Sequence, residues 1–346
     1  MRTKPRIKDI AEKAGVSAAT VSRALGEESE LVAEPTRTLI RQVAQELNYR
    51  PNVSARNLRT RKSMSILMVV RDIGNPFYLE VLKGVEAVAR KSGYSVLMGN
   101  TEDDPAREAE YFNMLSDGHA DGMVLMTGKL PASSMAGFAY PEKLPIVVAL
   151  EVIENSGFPH VQIDNISAAR KAVQHLIELG HKRIAHISGP LSAVMSVHRR
   201  EGYRQAMAAA GLAIPETYEQ EGEFHLHSGR AACRALFELE QKPTAIFVAN
   251  DEMAFGAINE LRQSGYDVPG DVSVVGFDDL FLGEAFFPPL TTVSQPRDMI
   301  GQQAMSLLLD ILAGKPGPRK PIVLETQLRL RGSTAPLIHP LQRTQE

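Results

Sequence analysis

The chain has 346 residues, 44% hydrophobic and 23% charged, with 26 Gly and 21 Pro, an ordinary globular composition long enough for two or three domains. Its single cysteine, Cys233, excludes a disulfide framework and any Cys-based zinc site, and no run approaches the ~18 consecutive apolar residues of a spanning helix. The net charge of −3 hides an asymmetry: residues 1–62 carry 13 Lys and Arg against 7 Asp and Glu (net +6), and the remainder carries 25 against 34 (net −9). A basic head on an acidic body is the distribution expected when one end meets a polyanion. Met1-Arg2-Thr3-Lys4-Pro5-Arg6 runs into no apolar stretch of the signal-peptide kind, so a soluble, cytoplasmic protein is expected, with no membrane association.

Ile7, Ile10, Ala11 and Ala14 fall at helical spacing, and Gly15 stops that helix in a turn. Ser17 is a good N-cap for a second short helix, Ala18 to about Leu25, with Val21 and Leu25 facing inward. A third helix is predicted from about Pro35 to Leu47, with Leu39, Ile40, Val43, Ala44 and Leu47 as its apolar stripe. Three short helices, the first two joined by a tight Ala-Gly-Val-Ser turn, make a helix-turn-helix, whose second helix offers its N-terminal residues to base edges in the major groove. Here those are Ala18, Ala19, Thr20, Ser22 and Arg23. Arg can fork onto guanine O6 and N7, Ser and Thr can bond phosphates or bases, and Ala can meet a thymine methyl. The bland alternative is a small helical hairpin that only packs.

The stretch beyond the third helix favours DNA. Asn48-Tyr49-Arg50-Pro51-Asn52 breaks that helix, and Val53 to Leu58 reads as one short, uncapped helix, too short to be stable alone in water. That segment is suited to folding against DNA, with Leu58 as an apolar wedge and Arg56 on phosphate. Residues 59–63 read as a charged linker.

The run Ile-x-Asp-Ile-Ala-x-x-Ala-Gly-Val-Ser-x-x-Thr-Val-Ser-Arg-Ala-Leu (7–25), succeeded by Leu-Asn-Tyr-x-Pro-Asn (47–52), resembles the lac-repressor (LacI/GalR) family of transcription regulators, most closely its branch of cytidine, ribose and purine repressors. The resemblance implies a sequence-specific regulator, a repressor, bound to a pseudo-palindromic operator as a homodimer. Its DNA-contacting residues would be Ile7, Ser17, Ala18, Ala19, Thr20, Ser22, Arg23, Asn52, Ala55, Arg56 and Leu58. It also implies a two-lobed, periplasmic-binding-protein-like body with a small effector: ribose, a nucleoside, a purine or another sugar.

From Met64 the chain alternates apolar runs with amphipathic stretches. Strands are predicted at 65–70, 94–99, 121–126, 145–150, 183–188, 244–249 and 272–277, with helices such as 76–92, 167–179, 199–210, 228–239 and 251–264 between them. Continuous apolar strands separated by helices mean parallel sheets covered on both faces. There are more such units than one small sheet needs, so the fold class is α/β: a three-helix helix-turn-helix head and a two-lobed core of doubly wound parallel sheets. Crossovers between lobes are placed at Asp164, Thr291–Gln295 and 320–325. The resulting domains are a head (1–51), hinge helix and linker (52–63), core (64–334) and short tail (335–346). Lobe one takes about 64–163 plus 294–321, and lobe two about 164–291 plus 322–334.

Ligands of open parallel sheets sit beyond the carboxyl ends of the strands. The polar residues found there are Asp72 to Tyr78, Asp164-Asn165, Asn250-Asp251 and Asp278-Asp279, with Arg199 and Arg200 expected to open the helix after the Gly189-Pro190 turn. Asp, Asn and Arg can fork onto paired hydroxyls, and Phe77 and Tyr78 offer flat faces to a sugar or a base. The resemblance implies that Asn75, Phe77, Tyr78, Asp164, Arg199, Phe224, Asn250, Asp278 and Gln295 face the effector, with Phe224 placed where nucleobase-binding relatives stack an aromatic. Asp251 is read as structural. Phe281, Phe286 and Phe287 are either core or the apolar patch of a dimer interface.

Other signals are weaker. His225-x-His227 has no third metal ligand at a sensible spacing, and no nucleotide-loop, hydrolase-elbow or zinc-protease motif occurs. Adjacent Asp278 and Asp279 on a strand point to opposite faces and cannot flank one glycosidic bond. Cys233 sits among alanines in a helix and reads as core. No cofactor and no enzymatic activity are expected. The competing classes are a sugar- or nucleoside-acting enzyme with an accessory DNA-binding head, and a ligand carrier that never touches DNA.

Overall fold

The computed structural model describes residues 5–26, 29–49, 62–131, 144–318 and 320–337. The chain divides into two units, Met1–Lys62 and Ser63–Glu346. In the first, helices α1 (Ile7–Ala14), α2 (Ala18–Ala24) and α3 (Glu34–Glu46) match the predicted spans to within about a residue. Gly15 closes α1 in the left-handed conformation at φ +66°, which glycine adopts without steric cost. The Ser17 hydroxyl then caps α2 by accepting from the Thr20 amide at 3.1 Å. Ile10, Val21 and Ile40, all fully buried, meet in a small core of their own. Leu39 departs from the predicted stripe: it is 44% exposed, because the buried face of α3 runs through Ile40, Val43 and Ala44. The expected hinge, with Asn52, Ala55, Arg56 and Leu58, lies outside the described residues.

The second unit holds two six-stranded sheets. One has the order β11-β5-β4-β3-β1-β2 and is parallel throughout. The other has the order β12-β10-β9-β8-β6-β7 and is parallel except for the β10–β12 pair. In chain order the strands are β1 Ser65–Val70, β2 Ser95–Asn100, β3 Gly122–Met126, β4 Ile146–Ala149, β5 His160–Ile163, β6 Ile184–Ser188, β7 Glu219–Glu221, β8 Ala245–Val248, β9 Ser273–Asp278, β10 Thr291–Ser294, β11 Ile322–Leu324 and β12 Gln327–Arg329. The apolar run of β1 shows why these strands lack alternation. Ile66, Met68 and Val70 join one core cluster, and Leu67 and Val69 join another on the opposite face of the sheet.

Helices α4 (Phe77–Lys91), α5 (Pro105–Ser116), α6 (Asn165–Glu178), α7 (Val194–Ala209), α8 (Leu226–Phe237), α9 (Asp251–Gln263), α10 (Leu282–Ala285) and α11 (Arg297–Leu312) connect the strands. Helices α4 and α11 cross with their backbones nearly touching at Gly84 and Gly301. A Cβ on either glycine would collide with a carbonyl oxygen of the other helix. Helix α7 starts at Val194, so Arg199 and Arg200 sit inside it and do not open it, as the Gly189-Pro190 turn had suggested.

The chain passes between lobes three times: after β5 at Asp164, after β10 near Gln295, and between β11 and β12. The last crossing corrects the expected boundary. Residues 322–324 pair with β5 in the first lobe, so the switch falls after Leu324.

Candidate effector cleft

Each sheet reverses its winding order at its first strand, β1 in one lobe and β6 in the other. A crevice opens at the carboxyl ends of such strands. A cavity of about 310 Å³ lies there, lined from both lobes. From the first lobe come Arg71, Asn75, Phe77 and Tyr78 after β1, Asp103 after β2, and Glu151 after β4. From the second come Arg199, Phe224, Asn250, Asp278 and Gln295.

Eight of the nine residues named from the sequence are therefore brought together here. Asp164 is the exception. Its carboxylate caps α6, accepting from the Ser167 amide at 2.9 Å, and the next residue, Asn165, enters the cavity instead. The available signal was Asp164 itself, a short acceptor side chain just before a predicted helix, which is a capping position. Asn250 also spends its side chain on structure. Its Oδ1 caps α9 through the Met253 amide at 3.0 Å, and its Nδ2 donates to the Phe224 carbonyl at 2.9 Å, which fixes the Phe224 backbone. Asp251 is structural as expected: it is fully buried and accepts from the Leu280 amide at 2.7 Å and the Thr292 hydroxyl at 2.5 Å.

The polar centre is Asp278, Gln295 and Arg199. Gln295 Nε2 donates to Asp278 Oδ1 at 2.7 Å, and Arg199 Nη1 lies 3.9 Å from the same oxygen. Arg199 is clamped: Nε donates to Asn165 Oδ1 at 2.9 Å, Nη1 to the Ala249 carbonyl at 2.5 Å, and its guanidinium carbon lies 3.7 Å from the centre of the Phe277 ring. Such a fork, with one carboxylate beside it, is suited to vicinal hydroxyls. Asp279 does not line the cavity and pairs with Arg331 at 2.7 Å; it lies past the end of β9 at φ +57°, so a turn and not strand alternation separates it from Asp278. Phe77 and Tyr78 meet edge to face with ring centres 5.6 Å apart, forming one apolar wall.

Five residues lining the cavity hold positive φ without being glycine: Glu102, Asp103, Leu150, Phe224 and Asp278. Each such conformation costs on the order of 1 kcal/mol and persists only where the surroundings enforce it, which is characteristic of ligand clamps.

Burial lifts the Asp278 carboxyl to about 6, opposed by the Arg199 charge and the Gln295 hydrogen bond. The ionised form is the better acceptor for ligand hydroxyls, so effector affinity is expected to fall by about tenfold as pH drops from about 7.5 to 5, through that pKa. Calorimetric titration across that range checks this; a flat profile would remove Asp278 from contact with the ligand.

In the head, Ser17, Ala18, Ala19 and Arg23 are exposed on α2 and its cap, and Thr20, Ser22 and Ile7 are half-buried. The Ser17 and Thr20 hydroxyls share a 2.8 Å hydrogen bond. Arg71, Glu151, Asp103, Asn165, Glu223 and His225 line the cavity without having been singled out from the sequence as effector contacts. His225 stands at the rim, with Nδ1 4.0 Å from both Asp72 and Glu252. Among the described residues no group of three or more His, Cys, Asp or Glu is placed to hold a metal ion.

Comparison with known proteins decides the family. Residues 6–52 match the model of bacterial regulatory proteins of the lacI family, and 173–334 match that of the periplasmic-binding-protein-like domain. The chain is 38% identical over 336 residues to the HTH-type transcriptional repressor CytR of Escherichia coli K12, covering 97% of this chain and 98% of that one. The chain belongs to the LacI family.

The PurR repressor of Histophilus somni is 34% identical over 331 residues, 96% of this chain and 99% of its own. Among solved structures, the lac repressor dimer bound to operator and the anti-inducer ONPF aligns with a TM-score of 0.86 at 28% identity, over 96% of this chain and all of that one. This LacI-family chain is thus a DNA-binding transcription regulator, with the head and body that the motif at 7–25 and the strand pattern had implied.

Proposed function

We propose that the protein represses transcription as a homodimer on a pseudo-palindromic operator, under control of a sugar-like or nucleoside-like effector bound between the lobes of its core. One observation carries this reading: a single chain joins a helix-turn-helix, exposing Ser17, Ala18, Ala19 and Arg23, to a two-lobed cavity centred on Asp278, Gln295 and Arg199. The cavity, about 310 Å³, sits at the small end of the roughly 300–1,000 Å³ of ligand pockets, which suits a monosaccharide or a nucleoside. Hydrogen-bonding groups from both lobes line it, so a ligand there stabilises one lobe arrangement over another. The effector acts on DNA binding through that difference in affinity.

The homodimer is supported by the surface around α10. Phe281 and Phe287 are 68% and 71% exposed, with Leu282 beside them, while Phe286 packs on Phe255. Of the two readings of these aromatics, Phe281 and Phe287 fit the interface and Phe286 the core. No catalytic step is assigned to the cleft. No Ser, Thr, Cys or Lys lines it among the described residues, so a side-chain nucleophile of those kinds is lacking. The protein is proposed to work in the cytoplasm, beside its operator.

The test is thermal unfolding against pentoses, hexoses, nucleosides and purines, and then operator binding with and without each ligand that stabilises. A ligand at about 100 times its Kd adds roughly 2.7 kcal/mol, a readily visible shift. A stabilising ligand that leaves operator affinity unchanged, or one that is turned over, overturns the reading. On the DNA side, Arg23→Ala is expected to cost about 1–3 kcal/mol at one base pair and relax the preference there. An equal loss on all sequences would make Arg23 a phosphate contact only.

A further inference from the structure

We infer that Asp121 is the residue that positions the linker for operator binding: its carboxylate fastens the chain just ahead of the core, so that the root of the linker moves rigidly with the first lobe. This rests on the reading of the protein as a dimeric operator binder and deepens it.

The clamp lies at the amino ends of the strands of the first sheet, the end away from the cleft. Asp121 stands directly before β3, and Ser63 and Met64 directly before β1, the neighbouring strand. Asp121 Oδ1 accepts from the Ser63 amide at 2.6 Å and from the Ser63 hydroxyl at 2.9 Å, and Oδ2 accepts from the Met64 amide at 3.1 Å. A carboxylate that takes three donors on its two oxygens makes strong, directional bonds. Met64 is held from its other side as well, since its carbonyl accepts from the Ser95 amide at 3.0 Å where β2 begins. Its φ of +54° is a left-handed conformation unfavourable for methionine, and it persists because the surroundings enforce it.

The plain alternative is that Asp121 only finishes the turn into β3 or helps to seat β1. Neither task needs its side chain. The Asp121 amide already joins the two strands, donating to the Ser65 carbonyl at 2.8 Å. Strand β1 is paired on both sides, and Ile66 to Val70 are at most 1% exposed, so burial seats it. All three side-chain bonds go instead to residues 57 or 58 positions earlier in the chain, at the point where the linker enters the core.

The same strand has the cavity at its other end. Strand β1 spans six residues, about 20 Å, and the chain leaves it through Arg71 and Asp72, which line the cavity. With Ser63 and Met64 clamped, a movement of the first lobe carries the linker root with it. Without the clamp those two residues become a free joint, and each adds about 3.3–3.6 Å of reach. A slack of about 7 Å per chain exceeds the roughly 3.4 Å that one base pair adds between half-sites. The unclamped protein is therefore expected to lose both operator affinity and the ability to measure half-site spacing.

The experiment measures binding of the full-length protein to three duplexes: one enriched by the wild type from a random pool, the same duplex with one base pair inserted at its centre, and an unselected duplex. It is repeated on Asp121→Asn, which replaces one of the two acceptor oxygens by an N–H donor, and on Ser63→Ala, which removes the hydroxyl alone. In the wild type the insertion is expected to weaken binding about a hundredfold. In D121N the selected duplex is expected to bind about tenfold more weakly, the insertion to cost less than about tenfold, and the unselected duplex to bind as before. S63A keeps the backbone bonds and should show the same two changes at about threefold, and it decides the matter if D121N fails to fold. A wild type indifferent to the insertion, an unchanged insertion cost in the variants, or an equal loss on selected and unselected duplexes would each overturn the role of Asp121 and leave an operator binder standing. A pool in which no sequence is enriched overturns both.

Discussion

Asp278→Asn is expected to weaken effector binding about a hundredfold while leaving ligand-free operator binding unchanged, since two charge-assisted hydrogen bonds at roughly 1.5–3 kcal/mol each are at stake. The substitution keeps shape and volume, removing the charge and turning one acceptor oxygen into an N–H donor. Its effect on the fold can be signed as well. Burial raises the folded-state pKa to about 6, above that of the unfolded chain, so the ionised group costs stability at neutral pH, a cost that grows as pH rises from about 4 to 6. Asparagine removes that cost and at the same time deprives Arg199 of a charge 3.9 Å away. The two changes oppose each other, and Tm is expected to move by less than about 5 °C. A large loss of Tm, or full effector affinity in a folded variant, would show that Asp278 is a structural residue.

Ile40→Ala is expected to abolish operator binding and spare the effector response. Ile40 is fully buried where the three head helices meet, against a cluster that includes Ile10 and Val21. Truncating such a side chain costs about 2–5 kcal/mol. A unit the size of Met1–Lys62 has only a few kcal/mol in total, at roughly 0.05–0.15 kcal/mol per residue. The core has its own clusters and should still shift its melting temperature with ligand. Operator affinity within about threefold of wild type would mean that DNA or the dimer stabilises the head by more than its own core does.

Much of this molecule was legible in its residues. The head could be read because its signals are local: Gly15 at a left-handed stop, Ser17 as a cap, and apolar residues at helical spacing. Seven strands of the core were legible because strands buried on both faces are continuous apolar runs. The strands β5, β7, β10, β11 and β12 escaped: each has three or four residues and, unlike β4 and β8, none is a continuous run of buried apolar side chains. So did α5 and α11, whose polar and apolar residues do not separate into a clean stripe.

At the cleft the division is sharper. Composition and order along the chain, which are local properties, specified the α/β class, the DNA-binding head and the polar residues waiting at strand ends. Which of those residues enters the cavity was settled only when the lobes were assembled. Asp164 and Asn165 are neighbours of similar chemistry, yet one caps a helix and the other holds Arg199. Glu151 directly follows the predicted strand 145–150 and so met the strand-end rule without being singled out; its partner Arg71, 80 residues away in sequence, is visible only in the folded chain. Pairings of that kind depend on strand register and lobe contact, and no local spacing encodes them.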